Sequence, residues 1–431
     1  MNRSHALAAL LVGALMLSAT AFGQTLRYFS WEVNIAEETA ALIAEFEALN
    51  PGVTVDFEAM SPDQYWPRMS AMAAANDLPD VFYMSTGFVA EWHQNGLLAN
   101  LQPYVDTLDL EDYYTGVLSV ARFPVPDAGV LHAVPMNWVG PVLYYNATAF
   151  DEAGLSYPSA DWTWDEFLAA AQELTVDRDG DGRIDQYGFW LYGRYAQIEP
   201  WIYLNDGRLL NEARTRVEPD AAAVETLKFL TDLVNVHGVA PRPQEMDGVR
   251  QQDVFPLGLA AMWVDGSWNI SNNRTVAGDA FEWDIALIPT GPNATERIAY
   301  TWPDMLAIGA NSEHPDLAWA FVEFMTGPSR DAGSFLGGTV PFFRPTAESD
   351  AWRESDQQPA NKAVILELGQ MPSRTSFTPN WSEWRGYAAA EGGGMNGELD
   401  QVFNGRKDLD AAIASFVEYA NQVLSRSYPQ P

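Results

Sequence analysis

Between Leu26 and Met84 the apolar residues switch repeatedly between two periods, and this alternation limits the fold more than any other feature of the chain. Leu26 to Ser30 is short, apolar and aromatic, as a strand would be. Ile35, Thr39, Leu42, Ile43, Phe46 and Leu49 then share one face of a helix, which Asn34 can cap and Asn50-Pro51-Gly52 stops. Val53, Val55 and Phe57 alternate with polar residues and predict a second strand. Asp63 to Ala75 reads as another helix and Asp80 to Met84 as another strand. The order β-α-β-α-β predicts a mostly parallel sheet with helices on both faces. In open sheets of this type the ligand crevice lies beyond the carboxyl ends of the strands. Those ends are Ser30-Trp31-Glu32 and Tyr83-Met84-Ser85-Thr86.

Further along, Thr163-Trp164-Asp165-Glu166 forms a capping box, with Phe167, Leu168, Ala171 and Leu174 as the buried stripe behind it. Asp220 to Val236 predicts a helix ending at Gly238. Asp316 is expected to cap a helix carrying Leu317, Phe321 and Phe324, closed by Gly327-Pro328. Leu409 to Leu424 reads as the last helix, and Glu391-Gly392-Gly393-Gly394 as a surface loop. With 431 residues, a prior of about 150 residues per domain gives two or three domains. At the start, Arg3 and His5 precede the apolar run Ala6 to Leu17, and Ala21-Phe22-Gly23 offers a small-x-small cleavage site before Gln24. Residues 1–23 are therefore expected to be a secretory signal peptide, and the mature protein to be periplasmic or otherwise extracytoplasmic. The 58 acidic against 24 basic residues give a net charge of −34, which repels nucleic acid and anionic membranes. The absence of cysteine excludes disulfides, thiolate metal sites and a lipid anchor on Cys.

A series of short motifs runs through the chain in a fixed order. It begins with Tyr28-Phe29-Ser30-Trp31, Asn50-Pro51-Gly52-Val53, Leu78-Pro79-Asp80-Val81, Asn95-Gly96-Leu97-Leu98 and Val134-Pro135-Met136. It continues with Leu143-Tyr144-Tyr145-Asn146, the Thr163 box, Ala261-Met262-Trp263, Gly266-Ser267-Trp268 and Ala318-Trp319-Ala320-Phe321. Together they resemble the extracellular solute-binding proteins of carbohydrate ABC transporters, the maltose-binding-protein-like family. The resemblance implies an α/β, two-lobed periplasmic-binding-protein fold with a central cleft and three hinge crossings. Lobe one would take 24–138 and 284–333, and lobe two 139–283 and 334–431. The crossings would fall at Asn137 to Gly140, near Trp283 and near Gly337-Gly338. It also implies a monomer that binds a neutral sugar or oligosaccharide, catalyses nothing and delivers its ligand to a membrane permease.

A sugar offers apolar C–H faces and a rim of hydroxyls, so its site needs aromatic platforms and short polar groups. The segments that supply both hold Trp31 and Glu32, Tyr83, Ser85 and Thr86, Asn137 and Trp138, and Trp201 and Tyr203. Later ones hold Asp265 to Trp268, Thr301-Trp302-Pro303-Asp304, and Trp381 with Trp384. By the resemblance, Trp268 matches the stacking aromatic after an Asn/Asp-Gly turn, Trp384 or Trp381 falls near another, and Glu32 falls where a polar group meets sugar hydroxyls. The Asp80 to Gly87 segment and Val139 lack acidic residues of the maltose binder, so the sugar class is implied rather than maltose. Trp162, Trp164, Trp190, Trp319 and Trp352 are assigned to packing.

Asp177, Asp179, Asp181 and Asp185 stand at positions 1, 3, 5 and 9 of an EF-hand-like loop, with Gly182 at position 6 and the Arg183 carbonyl at position 7. Structural calcium is expected there, although position 12 is Gly188 instead of a bidentate Glu. Two other functions suit a Trp-rich, acidic chain: a secreted carbohydrate-active enzyme and a receptor for a non-sugar solute such as a polyamine.

Overall fold

The computed structural model describes residues 23–123, 129–335, 337–354, 356–386 and 394–428. The expected signal peptide, Gly23 apart, and the Glu391–Gly393 part of the expected loop lie outside the described residues. Strand β1 (Gln24–Ser30) buries Leu26, Tyr28, Phe29 and Ser30. Helix α1 (Ala36–Leu49) follows a short 3-10 turn, so it begins two residues beyond Asn34. Glu37 and Glu38 in its first turn favour the positive end of the helix dipole. Thr39, Leu42, Ile43 and Phe46 form its buried stripe, and Gly52 turns the chain at φ 96°. Strand β2 (Val53–Ala59), helix α2 (Pro62–Ala74), strand β3 (Val81–Ser85) and helix α3 (Thr86–Gln94) complete the predicted alternation.

Beyond them come strands β4 (Ala133–Val139) and β5 (Pro141–Asn146), and helices α4 (Trp164–Glu173), α5 (Tyr195–Tyr203) and α6 (Ala221–Asn235). Strands β6 (Met262–Gly266), β7 (Trp283–Ala286) and β8 (Trp302–Ile308) follow, then helix α7 (Pro315–Thr326) and strand β9 (Val340–Pro341). The last three helices that matter here are α8 (Trp381–Arg385), α9 (Gly394–Phe403) and α10 (Leu409–Leu424). The Thr163 capping box forms as predicted, and the Asp220 carboxylate caps α6. Asp316 does not cap α7: Pro315 takes the first helical position, His314 the cap, and Asp316 lies in the first turn.

Two sheets result. The first has six strands in the order β9-β4-β8-β3-β1-β2, and the second has three in the order β6-β5-β7. The expectation of a mostly parallel sheet holds for β1, β2 and β3 alone. Strand β8 runs antiparallel to both β3 and β4, and β9 is antiparallel to β4. The chain passes from the first sheet to the second at Gly140, between β4 and β5.

The other two crossings differ from expectation. Trp283 to Ala286 belong wholly to the second sheet, so that crossing lies between β7 and β8. The segment after Gly338 stays with the first sheet, because apolar, buried Val340 and Pro341 pair with Trp138 and Asn137 of β4. The third crossing runs beside the second: the Ala299 N–H donates to the Pro372 carbonyl and the Arg374 N–H to the Ala299 carbonyl, both at 2.8–2.9 Å. The Thr301 hydroxyl also meets Ser373 Oγ at 2.9 Å. All three crossings converge at Gly140, where a Cβ atom would stand 2.9 Å from Leu368 and 3.1 Å from Thr301. Such a bundle of loop segments is where a rotation between lobes would be absorbed.

Candidate ligand-binding cleft

The carboxyl ends of β1 and β3 and one face of β8 assemble a polar floor. Glu32 is buried just past β1, and Arg330, also buried, approaches its carboxylate at 3.5 Å. Burial pushes the Glu32 carboxyl up, and Arg330 and the Tyr83 hydroxyl pull it back. That hydroxyl accepts from Asn137 Nδ2 at 2.7 Å. The result is a chain of hydrogen bonds from Asn137 through Tyr83 to Glu32. Ser85 and Asn137 are the cross-strand neighbours of Asp304, so all three share one face of the sheet. Burial, then the nearby Glu32 carboxylate, pushes Asp304 up to about 8.

Aromatic rings close the floor on both sides. Trp31 remains partly exposed and lies 4.4 Å from the ring of Tyr83, with Tyr65 at 5.3 Å and Trp66 at 5.5 Å. Trp302, two residues before Asp304 and therefore on the same face of β8, reaches Trp268 of the other lobe at 5.5 Å. Tyr195 of α5 lies 5.5 Å from Trp302 and 5.1 Å from Trp381. Asp265, fully buried at the end of β6, holds Arg194 at 3.3 Å, and that guanidinium lies 5.5 Å from the Trp268 ring. Burial pushes the Asp265 carboxyl up, with Arg194, the Gly266 N–H and Gln197 opposing. The lobes meet at the rim, since a Cβ on Gly87 would stand 2.8 Å from the Trp381 ring.

The structure thus brings together Trp31, Glu32, Tyr83, Ser85, Asp265, Trp268, Trp302 and Trp381 at the junction of the lobes. It does not bring Trp138, Trp201 or Trp384 there. Trp201 is enclosed by Phe167 at 5.0 Å, Phe189 at 6.0 Å and Phe229 at 6.0 Å inside the second lobe. Trp384 has no exposed surface and donates its indole N–H to Thr378 Oγ1. Trp138 alternates to the opposite face from Asn137 and packs on Tyr114 at 5.5 Å. All three are core residues with no ring face left for a ligand. The tryptophans assigned to packing are buried: Trp162, Trp164, Trp190, Trp319 and Trp352. Sequence reasoning named Asn137 and Asp304 only as segment members and missed Arg194, Tyr195 and Arg330. The period of two on β8, which groups Trp302 with Asp304, was the signal available for Asp304.

The aspartate loop is exposed, and carboxylate oxygens of Asp177, Asp179 and Asp185 lie within 4.8 Å of one another. Asp181 is not in that group, and its carboxylate accepts from the Arg183 N–H instead. The Gly180 and Gly182 N–H groups both donate to Asp177 at 2.8 Å.

A model of the bacterial extracellular solute-binding protein family matches residues 32–330. The chain belongs to this family. As a solute-binding protein it is 38% identical over 340 residues to the sn-glycerol-3-phosphate-binding periplasmic protein UgpB of Rhizobium meliloti, covering 74% of this chain and 73% of that one. It is 23% identical over 311 residues to the multiple sugar-binding protein of Streptococcus mutans, covering 70% and 71%. Its fold matches that of the sugar-binding protein MalE from Xanthomonas citri with a TM-score of 0.77 at 22% identity, over 94% of this chain and 98% of that one. No helix among the described residues of this solute-binding protein is long and apolar enough to cross a membrane.

Proposed function

We propose that this solute-binding protein captures a neutral sugar or oligosaccharide outside the cytoplasm, after removal of its signal peptide, and delivers it as a monomer to an ABC permease without turnover. The observation that carries this reading is the pairing of aromatic faces with short polar groups at the lobe junction. Trp31 and Trp268 keep part of their rings exposed as stacking surfaces, buried Trp302 backs Trp268, and Glu32, Ser85, Asn137, Asp265 and Asp304 offer hydroxyl partners. The names of two relatives point to different ligands, a sugar and a glycerol phosphate. The charges favour the neutral one. Arg330 and Arg194 each already face a carboxylate, so the charge of both cations is already matched within the protein.

A thermal-shift screen with glucose, mannitol, maltotriose and sn-glycerol 3-phosphate tests the proposal. A ligand at 100 times its dissociation constant adds about 2.7 kcal/mol to the folded state. Stabilisation by a neutral compound, with that compound recovered intact, is the expected result. Stabilisation by the phosphate alone would overturn it, and cleaved product would promote the enzyme.

The same reading assigns calcium to the aspartate loop, where Asp177, Asp179 and Asp185 would supply hard oxygen ligands to the second lobe. Asp179→Asn keeps an acceptor for the Asp181 N–H but removes a charge. It should lower the melting temperature in calcium and leave it unchanged in chelator. Equal melting shifts in both would reduce the loop to a self-bonded turn.

A further inference from the structure

Asp304 occupies an unusual place on the cleft floor. It stands at the point where the register of β8 against β4 slips, between Asp304 and Met305. Irregularities of this kind re-aim a side chain and recur beside functional sites. Its cross-strand neighbours are Ser85 on β3 and Asn137 on β4. Asn137 is fully buried, its Nδ2 is committed to Tyr83, and its Oδ1 has no hydrogen-bond partner. A buried acceptor without a donor is costly unless something else fills the place.

The groups around Asp304 come from several elements. Glu32 follows β1, with Tyr28 on β1 itself, and Tyr83 and Ser85 lie on β3. Asn137 lies on β4, and Arg330 follows α7. Arg330 is directed to Glu32 at 3.5 Å, and the Tyr83 hydroxyl bonds Glu32 as well. Glu32 therefore has a cation and a donor, and Asp304 stands beside it as a second carboxyl group. Two adjacent carboxyls served by one cation do not both ionise readily. Tyr28 and Tyr83 are themselves held well above the ordinary phenol range by burial, so neither titrates in the same window.

We infer that Asp304 is a specificity-determining residue that meets the ligand as a neutral, protonated carboxyl group. It donates to a ligand oxygen while Asn137 Oδ1 accepts from a neighbouring hydroxyl. The cleft thereby selects neutral polyols and releases them when Asp304 ionises. The inference rests on the sugar reading and assigns it a particular atom pair. Its pH dependence has a definite sign. The folded protein keeps the Asp304 proton up to about pH 8, whereas the unfolded chain loses it near about pH 3.9. Between those values the folded state binds more protons, so this group makes stability fall as pH rises and then level off.

The test compares the full mature chain with Asp304→Asn, which fixes a neutral group of the same shape. Without ligand, the melting temperature of the variant relative to the parent should rise from pH 5 to about pH 8 and stay level above it. With glucose, mannitol and maltotriose as probes, calorimetric affinity of the parent for whichever it binds should fall about tenfold per pH unit above pH 8, while the variant shows no such slope. A melting difference that is constant with pH, or parallel affinity slopes in both proteins, overturns the inference while the sugar reading stands. Failure of both proteins to bind any probe at any pH overturns the sugar reading and this inference with it.

Discussion

Arg385→Met should destabilise the chain by about 3–5 kcal/mol, the usual cost of stranding one partner of a buried ion pair. Arg385 and Glu199 have no exposed surface and meet at 2.9 Å. Glu199 also accepts from the Tyr203 hydroxyl at 2.8 Å, and Arg385 reaches the Gly193 carbonyl and Asn396. The pair therefore joins α5, α8 and the start of α9. Without the guanidinium, Glu199 would remain in an apolar interior with one neutral donor. Asp400 would suffer too. Burial already pushes its carboxyl up to about 6, with the Gly193 N–H and Arg385 pulling it back. Removing Arg385 should raise it further. Urea denaturation of Arg385→Met, Glu199→Leu and the double variant measures the effect. The double variant should recover much of the loss, because it leaves no unpaired charge. Strict additivity of the two single losses, or single losses below about 1 kcal/mol, would show that the pair is not the bolt between these helices.

The first lobe was legible because its signal is periodic. The spacing from Leu26 to Met84 survives in β1, α1, β2, α2 and β3 with boundaries shifted by a residue or two. The antiparallel insertion of β8 was not legible, since a strand that starts 163 positions after β4 ends (302 − 139) leaves no local trace of its direction. The site was legible in part for a related reason. A tryptophan carries the same sequence signal in a core as in a cleft, and only neighbours from distant segments tell them apart. Trp201 is walled in by Phe167 and Phe229, whereas Trp302 meets Trp268 across the lobe junction. Arg194 and Arg330 were missed because their roles are set by buried partners, Asp265 and Glu32, that the sequence brings nowhere near them.

Trp268→Ala should weaken sugar affinity by roughly 1–3 kcal/mol, the range for burying a large apolar side chain. The ring lies past the end of β6 and keeps part of its surface exposed. Trp302 touches it at an angle of 59° and the Arg194 guanidinium lies 5.5 Å from it. Its own chain also supports it. The ring folds back over Gly266 so closely that a Cβ there would stand 1.9 Å from its edge. The geometry makes two variants comparable. Trp268→Ala deletes the platform, and Gly266→Ala keeps the indole but must displace it. Both should lose affinity in titration calorimetry. Trp268→Ala should lose little stability, whereas truncating an enclosed tryptophan such as Trp201 should cost about 3–5 kcal/mol. If Trp268→Ala melts far earlier yet binds its sugar normally, the ring is structural, and stacking falls to the partly exposed Trp31 on the opposite lobe.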